Sequence, residues 1–163
     1  MSDEATTNLE PIEENDMGLA KKFGHIEKDD FSKEGVASKE KVPEAEKKGF
    51  QVIVDYAFEP VALESLYTVV DLLKPKRVIH VCGATGGGRD KSRRIPIGKL
   101  VGKNSDIFFV TDEDPYDEDP IEIINAVATG AEEVGKVEGK NMFKILDRRD
   151  AIEEAIKIAK EGD

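Results

Sequence analysis

A glycine-rich turn followed by a basic cluster is the part of this sequence best suited to bind an anion. Residues 82–100 read CGATGGGRDKSRRIPIGKL. The glycines of the turn, Gly83–Gly88, let backbone N–H groups approach an anion closely. Residues 89–94 form a basic cluster beside them, whose guanidinium and ammonium groups add positive charge. Its members are Arg89, Lys91, Arg93 and Arg94. The pattern indicates an anion-binding loop.

A dense run of acids, the acidic segment, follows the next apolar run. Residues 111–119 read TDEDPYDED. In an open α/β sheet the loops after successive strands lie side by side at the carboxyl edge, so we expect the acidic segment and the glycine turn to face one crevice. A basic cluster opposite an acidic segment suits a zwitterionic ligand such as an amino acid. The acids lack the regular spacing and the glycine of a calcium loop, so no metal site is predicted, and alone the run is typical of a solvated loop.

Alternating strands and helices predict the fold class. Four apolar runs have the length of strands: FQVIVD at 50–55, RVIHVC at 77–82, DIFFVT at 106–111 and MFKIL at 142–146. Between them lie helical patterns that begin at Pro60, at Asp119-Pro120 and at Asp147, with Gly130 expected to end the helix that starts at Pro120. The order predicts a three-layer, Rossmann-like α/β domain with a mostly parallel sheet of at least four strands. The chain stops just past a helix, so we expect a domain truncated before its last strand.

The first 49 residues differ in composition from the rest. They contain 13 acids, 8 lysines and no arginine, and their apolar residues are scattered singly. Such a segment buries too little surface to offset its ordering entropy, which predicts a disordered or weakly structured acidic arm with a weak helix signal at 16–23. Residues 50–163 are predicted to form the domain.

Charge and composition exclude several classes of partner. The net charge of −11 disfavours nucleic acid, because phosphates would be repelled over most of the surface. No segment approaches the roughly 20 apolar residues of a membrane helix. A single cysteine, Cys82, fits a reducing compartment. We therefore expect a cytoplasmic protein without nucleic-acid or membrane partners.

Other motifs leave more than one interpretation open. The glycine turn permits a dinucleotide-binding loop, although the helix expected right after the glycines is replaced by RDKSRR. Asp55, at the end of the first strand, suits ribose hydroxyls or serves only as a turn residue. His80 is expected to be a core histidine with a hydrogen-bond partner. No GxxxxGK[ST] loop and no paired nucleophile occur, so no catalytic residue is predicted.

Four segments in this order resemble the carboxy-terminal domain of the Mur ligases, in particular the UDP-N-acetylmuramoyl-peptide synthetases that add the third residue of the stem peptide. VDYAFEPVALESL is similar to their VDYAHTPDALE, and GGGRDKSRRIPIGKL to their GGDRDKGKRPLMG. VTDEDPYDEDPIEII is similar to their VTDDNPRSEDPEEII, and DRRDAIEEAIKIAKEGD to the helix before their last strand. The resemblance covers about residues 50–163.

The resemblance implies roles for individual residues. Asp55 matches the aspartate that contacts the ATP ribose, and Phe58 stands where the family has a histidine at the ATP site. Arg94 matches the arginine that holds the carboxylate of the incoming amino acid, with Arg89 nearby in the same motif. The loop that selects the side chain of that amino acid corresponds to Glu113, Asp114 and Tyr116.

The departures from the family pattern bear on the substrate. Asp114 and Tyr116 stand where asparagine and arginine would grip the distal carboxylate of diaminopimelate. Losing that arginine and gaining acids favours a side chain that ends in an amine. We therefore expect lysine or ornithine rather than diaminopimelate.

The resemblance also implies that this chain is one part of a larger enzyme. The phosphate loop and the nucleotide-sugar domain have no counterpart in it, so ATP and Mg²⁺ belong to the complete enzyme and the chain alone should not catalyse ligation. The implied partners are the missing ligase domains, in cis or in trans, the UDP-linked muramoyl peptide and a diamino acid. A non-catalytic module that binds an amino acid, a nucleotide or a protein, and a nicotinamide-nucleotide binder, remain as alternatives.

Overall fold

The computed structural model describes Ser38–Lys39 and residues 43–163. In chain order its elements are β1 (Ser38–Lys39), α1 (Pro43–Lys48), β2 (Ile53–Val54), α2 (Pro60–Leu73), β3 (Ile79–Cys82), α3 (Arg94–Asn104), β4 (Ile107–Val110), α4 (Pro120–Glu132), β5 (Met142–Lys144) and α5 (Arg148–Ile158). The alternation confirms the α/β class. None of these helices is both long and apolar enough to cross a bilayer.

A three-stranded parallel sheet in the order β3-β4-β5 forms the middle layer. Ile79 pairs with Ile107, and Phe109 with Phe143. One face packs against α2, α3 and α4 around the main core, and the other packs against α5 around Phe109. The main core includes Leu63, Ile97, Val101, Phe108, Val110, Val127 and Met142. Helices cover both faces, which explains why the central strand β4 is almost continuously apolar.

The first predicted strand does not join this sheet. β2 contains only Ile53 and Val54 and pairs antiparallel with β1, with Ser38 opposite Val54. Among the described residues the parallel sheet therefore has three strands rather than at least four. The strand partner of β2 lies in the charged amino-terminal segment, which carries no periodic apolar signal that would have predicted it.

Two elements, β1 and α1, precede residue 50, where the sequence analysis placed the start of the domain. Ala45 of α1 is buried with Phe50 against Ala159, which follows α5. The Lys48 ammonium donates to the carbonyl oxygens of Ile156 at 3.1 Å and Lys157 at 3.0 Å. Composition does not reveal these contacts, because they depend on one buried alanine, Ala45, and on one lysine, Lys48, that binds the end of another helix. The rest of the predicted acidic arm, including the weak helix signal at 16–23, lies outside the described residues.

The predicted helix starts are confirmed, whereas one predicted helix end is wrong. The carboxylate of Asp119 accepts from Ile121 N–H at 2.8 Å, and that of Asp147 accepts from Arg149 N–H at 2.8 Å. Gly130 does not end α4, which continues to Glu132. A Cβ at this position would collide with the carbonyl oxygen of Ile95 in α3. The glycine is therefore needed for the close packing of α3 against α4.

Candidate functional site

The glycine turn after β3 packs directly on the acidic segment after β4. The Gly86 N–H donates to the Asp114 carbonyl oxygen at 3.1 Å. A Cβ at Gly86 would collide with the carbonyl oxygen of Pro115, and one at Gly87 would lie 2.7 Å from the ring of Tyr116. Gly87 also has φ +67°, a conformation that suits glycine. The two loops predicted to meet at the carboxyl edge of the sheet do meet there.

The acidic segment is held in an unusual backbone conformation. Asp114 has φ +42° and Tyr116 has φ +53°, both in the left-handed region that costs a non-glycine residue roughly 1–2 kcal/mol. Both side chains are exposed, Tyr116 to 71%, whereas Glu113 is half-buried. Such strain persists where the surroundings determine the backbone, and here the glycine turn supplies those contacts. The segment thus presents Asp114 and Tyr116 to solvent on a fixed loop.

Arg94 is the buried cation of the site. It is the first residue of α3 and follows a 3-10 turn whose start is capped by Asp90, which accepts from Ser92 N–H at 2.9 Å. Its side chain is 7% exposed, and its Nη2 lies 3.0 Å from Oε2 of Glu118. Lys91 Nζ lies 2.7 Å from the same oxygen. The basic cluster and the acidic segment are therefore joined by ion pairs at Glu118 rather than separated by an open crevice.

This ion pair leaves hydrogen-bonding capacity unused. Nε of Arg94 and Oε1 of Glu118 are both buried and have no partner among the described residues. A buried polar atom without a partner costs free energy, so native proteins leave few of them outside functional sites. The unused donor and the unused acceptor lie in one ion-paired couple beside the two loops.

Glu118 is the residue that the sequence analysis missed. It lies in a run of acids, where composition does not distinguish it from its neighbours. Hydrogen bonds from Lys91 and then from Arg94 lower the pKa of Glu118, so it is charged at neutral pH. Its position in the sequence could have identified it. Glu118 directly precedes Asp119, the N-cap of α4, so its place relative to that helix is fixed.

The segment after β2 is tied to the basic cluster through Arg93. Its guanidinium lies 5.7 Å from the centre of the Phe58 ring and pairs with the carboxylate of Glu59. Oδ1 of Asp55 accepts from Ala57 N–H at 2.7 Å, which is the turn role that the sequence allowed. Oδ2 of Asp55 takes no part in that turn. Phe58 and Arg93 thus form a stacked cation–aromatic pair that the sequence did not predict.

The remaining predicted residue, Arg89, is exposed at the loop between the glycine turn and the 3-10 turn. Within the described part of the chain, no three His, Cys, Asp or Glu side chains gather in a way that would hold a metal ion. The structure thus places Arg94, at the start of α3, beside the acidic segment that carries Glu113, Asp114 and Tyr116. Asp55 and Phe58 follow β2 and connect to those loops through Arg93.

His80 of β3 has a hydrogen-bond partner, as expected. Its Nδ1 lies 2.7 Å from the hydroxyl oxygen of Tyr67, and its ring also contacts Phe108 edge-on. Burial lowers the pKa of His80 to about 4, because the charged form loses its hydration. The imidazole is therefore neutral at pH 7 and accepts or donates one hydrogen bond with Tyr67.

The fold and these loops define an α/β domain in which a glycine-rich turn packs on an acidic loop. The profile of the family described as Mur ligase, glutamate ligase domain, matches residues 40–163. The chain belongs to this family.

Relatives with curated names agree with that assignment. A UDP-N-acetylmuramoyl-L-alanyl-D-glutamate--2,6-diaminopimelate ligase from Alkaliphilus oremlandii is 42% identical over 113 residues, which is 69% of this chain and 22% of the relative. A UDP-N-acetylmuramyl-tripeptide synthetase from Roseiflexus sp. is 44% identical over 114 residues, 70% of this chain and 22% of the relative. This chain thus matches about a fifth of the length of these relatives.

A solved structure of a UDP-N-acetylmuramoyl-L-alanyl-D-glutamate--2,6-diaminopimelate ligase has the same fold. The superposition gives a TM-score of 0.62 at 27% sequence identity and covers 80% of this chain and 25% of that chain.

Proposed function

We propose that this chain is the carboxy-terminal part of an ATP-dependent ligase that adds a diamino acid to a UDP-linked muramoyl peptide. In this proposal it supplies the amino-acid site and part of the ATP site. The observation that carries the proposal is the buried Arg94, which is held by Glu118, has an unused Nε and lies beside the rigid acidic segment. The names of the curated relatives, all peptide ligases of UDP-linked muramoyl substrates, support the same class of reaction.

Arg94 would hold the α-carboxylate of the incoming amino acid. A guanidinium presents donors in a planar fork that matches a carboxylate, and burial strengthens each charge-assisted hydrogen bond. Glu118 engages Nη2 alone, so the fork keeps donors for a ligand. The unpartnered Oε1 of Glu118 offers an acceptor to a nearby ammonium group.

The acidic segment would select the far end of the amino acid. Asp114 is exposed on a loop whose left-handed backbone turns it away from the core, and Glu113 lies at its base. No arginine or lysine occurs between residues 111 and 120. Carboxylates there attract an ammonium group and repel a second carboxylate, so the proposed substrate is lysine or ornithine rather than diaminopimelate.

Asp55 and Phe58 would contribute to the ATP site. Oδ2 of Asp55 is not used by the local turn and suits a ribose hydroxyl. The half-buried pair of Phe58 and Arg93 suits the adenine or phosphate portion through stacking and charge. In the complete enzyme, ATP and Mg²⁺ would be held chiefly by domains outside this chain, and those domains and the UDP-linked muramoyl peptide are its proposed partners.

Reconstitution of ligation tests this proposal. The chain is combined with the amino-terminal and central domains of the Roseiflexus relative, ATP, Mg²⁺, a UDP-linked muramoyl dipeptide and lysine, and the product is followed by mass spectrometry. We expect a lysine adduct that requires both components and is lost with Arg94→Ala, while Lys99→Ala, a change at an exposed ion pair, leaves it. Amino-acid or protein binding by the chain without any adduct would instead support the non-catalytic module.

A further inference from the structure

Two cations share one oxygen of Glu118, but they are buried to very different extents. Nη2 of Arg94 lies 3.0 Å from Oε2 of Glu118, and Nζ of Lys91 lies 2.7 Å from the same atom. The side chain of Arg94 is 7% exposed, whereas that of Lys91 is 66% exposed. One contact is therefore inside the protein, and the other lies at its surface.

The local backbone explains why only Lys91 is free to move. Lys91 begins the 3-10 turn, Asp90 caps the start of that turn, and Arg94 follows it as the first residue of α3. The lysine side chain leaves this fixed backbone on a flexible four-carbon stem. Within residues 43–163, Glu118 is the one carboxylate that pairs with it. Lys91 can therefore release Glu118 without any change in the backbone.

The two contacts also differ in the free energy that holds them. An ion pair with a largely hydrated lysine contributes little to stability, because water competes for the ammonium group and the paired side chain loses conformational freedom. Removing a cation from a buried ion pair costs far more, because it leaves an uncompensated charge. A second cation that arrives at Glu118 would therefore replace Lys91 and leave Arg94 in place.

The charges around Glu118 favour this exchange when an amino acid binds. Without a ligand, Arg94 and Lys91 contribute two positive charges against the one negative charge of Glu118. An amino acid whose carboxylate binds Arg94 brings its α-ammonium group beside Glu118, because both groups are bonded to the same carbon. If Lys91 leaves, two positive charges face two negative charges. If Lys91 stays, two ammonium groups meet at one carboxylate and repel each other.

We propose that Lys91 occupies, in the free chain, the place beside Glu118 that the α-ammonium group of the bound amino acid takes. Lys91 is then an internal competitor of the substrate and is released into solvent when the amino acid binds. This inference rests on the proposed function, because it takes the carboxylate of the amino acid to lie at Arg94. In the alternative arrangement, Lys91 stays and binds the carboxylate of the ligand. The two arrangements predict opposite effects of removing the lysine.

Two ligands that differ only in the α-amino group test the proposal. L-Lysine and ε-aminocaproate share the carboxylate and the terminal ammonium group, but only L-lysine has an α-ammonium group. Calorimetry on the full chain compares the original sequence with Lys91→Met. We expect the variant to bind L-lysine about threefold more tightly and ε-aminocaproate with unchanged affinity. The control is Lys99→Met, which removes a lysine from an exposed ion pair on α3 and should bind both ligands as the original chain does.

The ammonium group of Lys91 reports the exchange directly in NMR spectra. Its ¹⁵Nζ signal is observed through the ε-methylene protons and assigned by its loss in Lys91→Met. The signal should move to the position of a hydrated lysine when L-lysine saturates the original chain, and it should stay in place with ε-aminocaproate.

The outcomes separate this inference from the proposed function. Suppose that the original chain binds L-lysine. Then weaker binding by Lys91→Met, an equal gain for both ligands, or a Lys91 signal that L-lysine leaves unchanged would overturn the inference alone. If the original chain binds neither ligand, the proposed amino-acid site is wrong, and the role of Lys91 falls with it.

Discussion

Nη2 of Arg94 lies 3.0 Å from Oε2 of Glu118, and this ion pair connects the first residue of α3 to the residue just before the α4 cap. Two loops that follow different strands are thereby fixed to each other. Lys91 contacts the same carboxylate oxygen, whereas Oε1 of Glu118 has no partner within residues 43–163. The arrangement pre-organises the Arg94 guanidinium, which reduces the conformational cost of binding a carboxylate.

Arg94→Lys should weaken amino-acid binding while keeping the positive charge. Lysine offers a point charge in place of the planar fork, so we expect affinity for lysine to fall about tenfold or more, which corresponds to roughly 1.4 kcal/mol. Isothermal titration calorimetry measures the change. Lys99→Arg is the control. Lys99 lies on the same helix as Arg94 and forms an exposed ion pair with Glu133, so this variant should bind as the original chain does. Equal affinities for the Arg94 variant and the control would remove Arg94 from the site.

A double change in the acidic segment should alter the preferred amino acid. Asp114→Asn combined with Tyr116→Arg places an amide and a guanidinium on the exposed loop, where they would attract a distal carboxylate. Asparagine tolerates the left-handed backbone of residue 114, so the fold should persist. We expect the ratio of lysine affinity to diaminopimelate affinity to fall about tenfold or more, as competition binding would show. Asp117→Asn in the same loop is the control, and an unchanged ratio in the double variant would contradict the assigned role.

Gly87→Ala should destabilise the contact between the two loops. A Cβ at Gly87 would lie 2.7 Å from the Tyr116 ring, and the backbone there has φ +67°. Gly88 has a similar φ of +78°, but a Cβ added to it would meet no atom within 4 Å. We expect Gly87→Ala to lower the free energy of unfolding by about 2 kcal/mol and Gly88→Ala by about 1 kcal/mol, the difference being the collision with Tyr116. Urea denaturation measures both. Adding Tyr116→Ala should remove most of that difference, and a difference that persists would show that the ring is not in contact.

His80 should make the free energy of unfolding depend on pH. Its folded-state pKa of about 4 lies below the ordinary value of 6.5, so between these values the unfolded chain binds more protons than the folded chain. The contribution of His80 to the free energy of unfolding is therefore fully present above pH 6.5 and is lost as the pH falls towards 4. His80→Asn should reduce the loss of unfolding free energy between pH 7 and pH 4.5 by roughly 2 kcal/mol.

Tyr67→Phe serves as the control for that measurement. It removes the hydroxyl that lies 2.7 Å from His80 but leaves the imidazole buried. The control should therefore keep the original pH dependence even if it is less stable overall. Identical pH profiles for the original chain and His80→Asn would show that the histidine is solvated.

The local patterns predicted the elements whose signals lie within one segment. The caps at Asp119 and Asp147 and the Pro60 start were read correctly because a side chain and the helix it caps are adjacent in sequence. Gly130 was misread for the opposite reason. A glycine is needed at this position because the carbonyl oxygen of Ile95, on another helix, leaves no space for a Cβ. Such a contact leaves no mark in the residues around Gly130.

The site was predictable as two loops but not as a set of contacts. The parallel order of strands brings the glycine turn and the acidic segment together, and that follows from the alternation of elements. The choice of Glu118 among neighbouring acids, and of Phe58 as the aromatic partner of Arg93, depends on side-chain geometry. The pairing of β2 with β1 also escaped prediction, since β1 lies among charged residues.

In the proposed function, Arg94 and the acidic segment bind opposite ends of one diamino acid. The most direct measurement is a ¹⁵N NMR titration that follows the Arg94 Nε–H signal together with the backbone amides of Asp114 and Tyr116. L-Lysine should shift all three with a single dissociation constant. Norleucine, which lacks the terminal ammonium, should shift Arg94 alone, and cadaverine, which lacks the carboxylate, should leave Arg94 unchanged. An Arg94 signal that does not respond to lysine, or responds equally to cadaverine, would contradict the account.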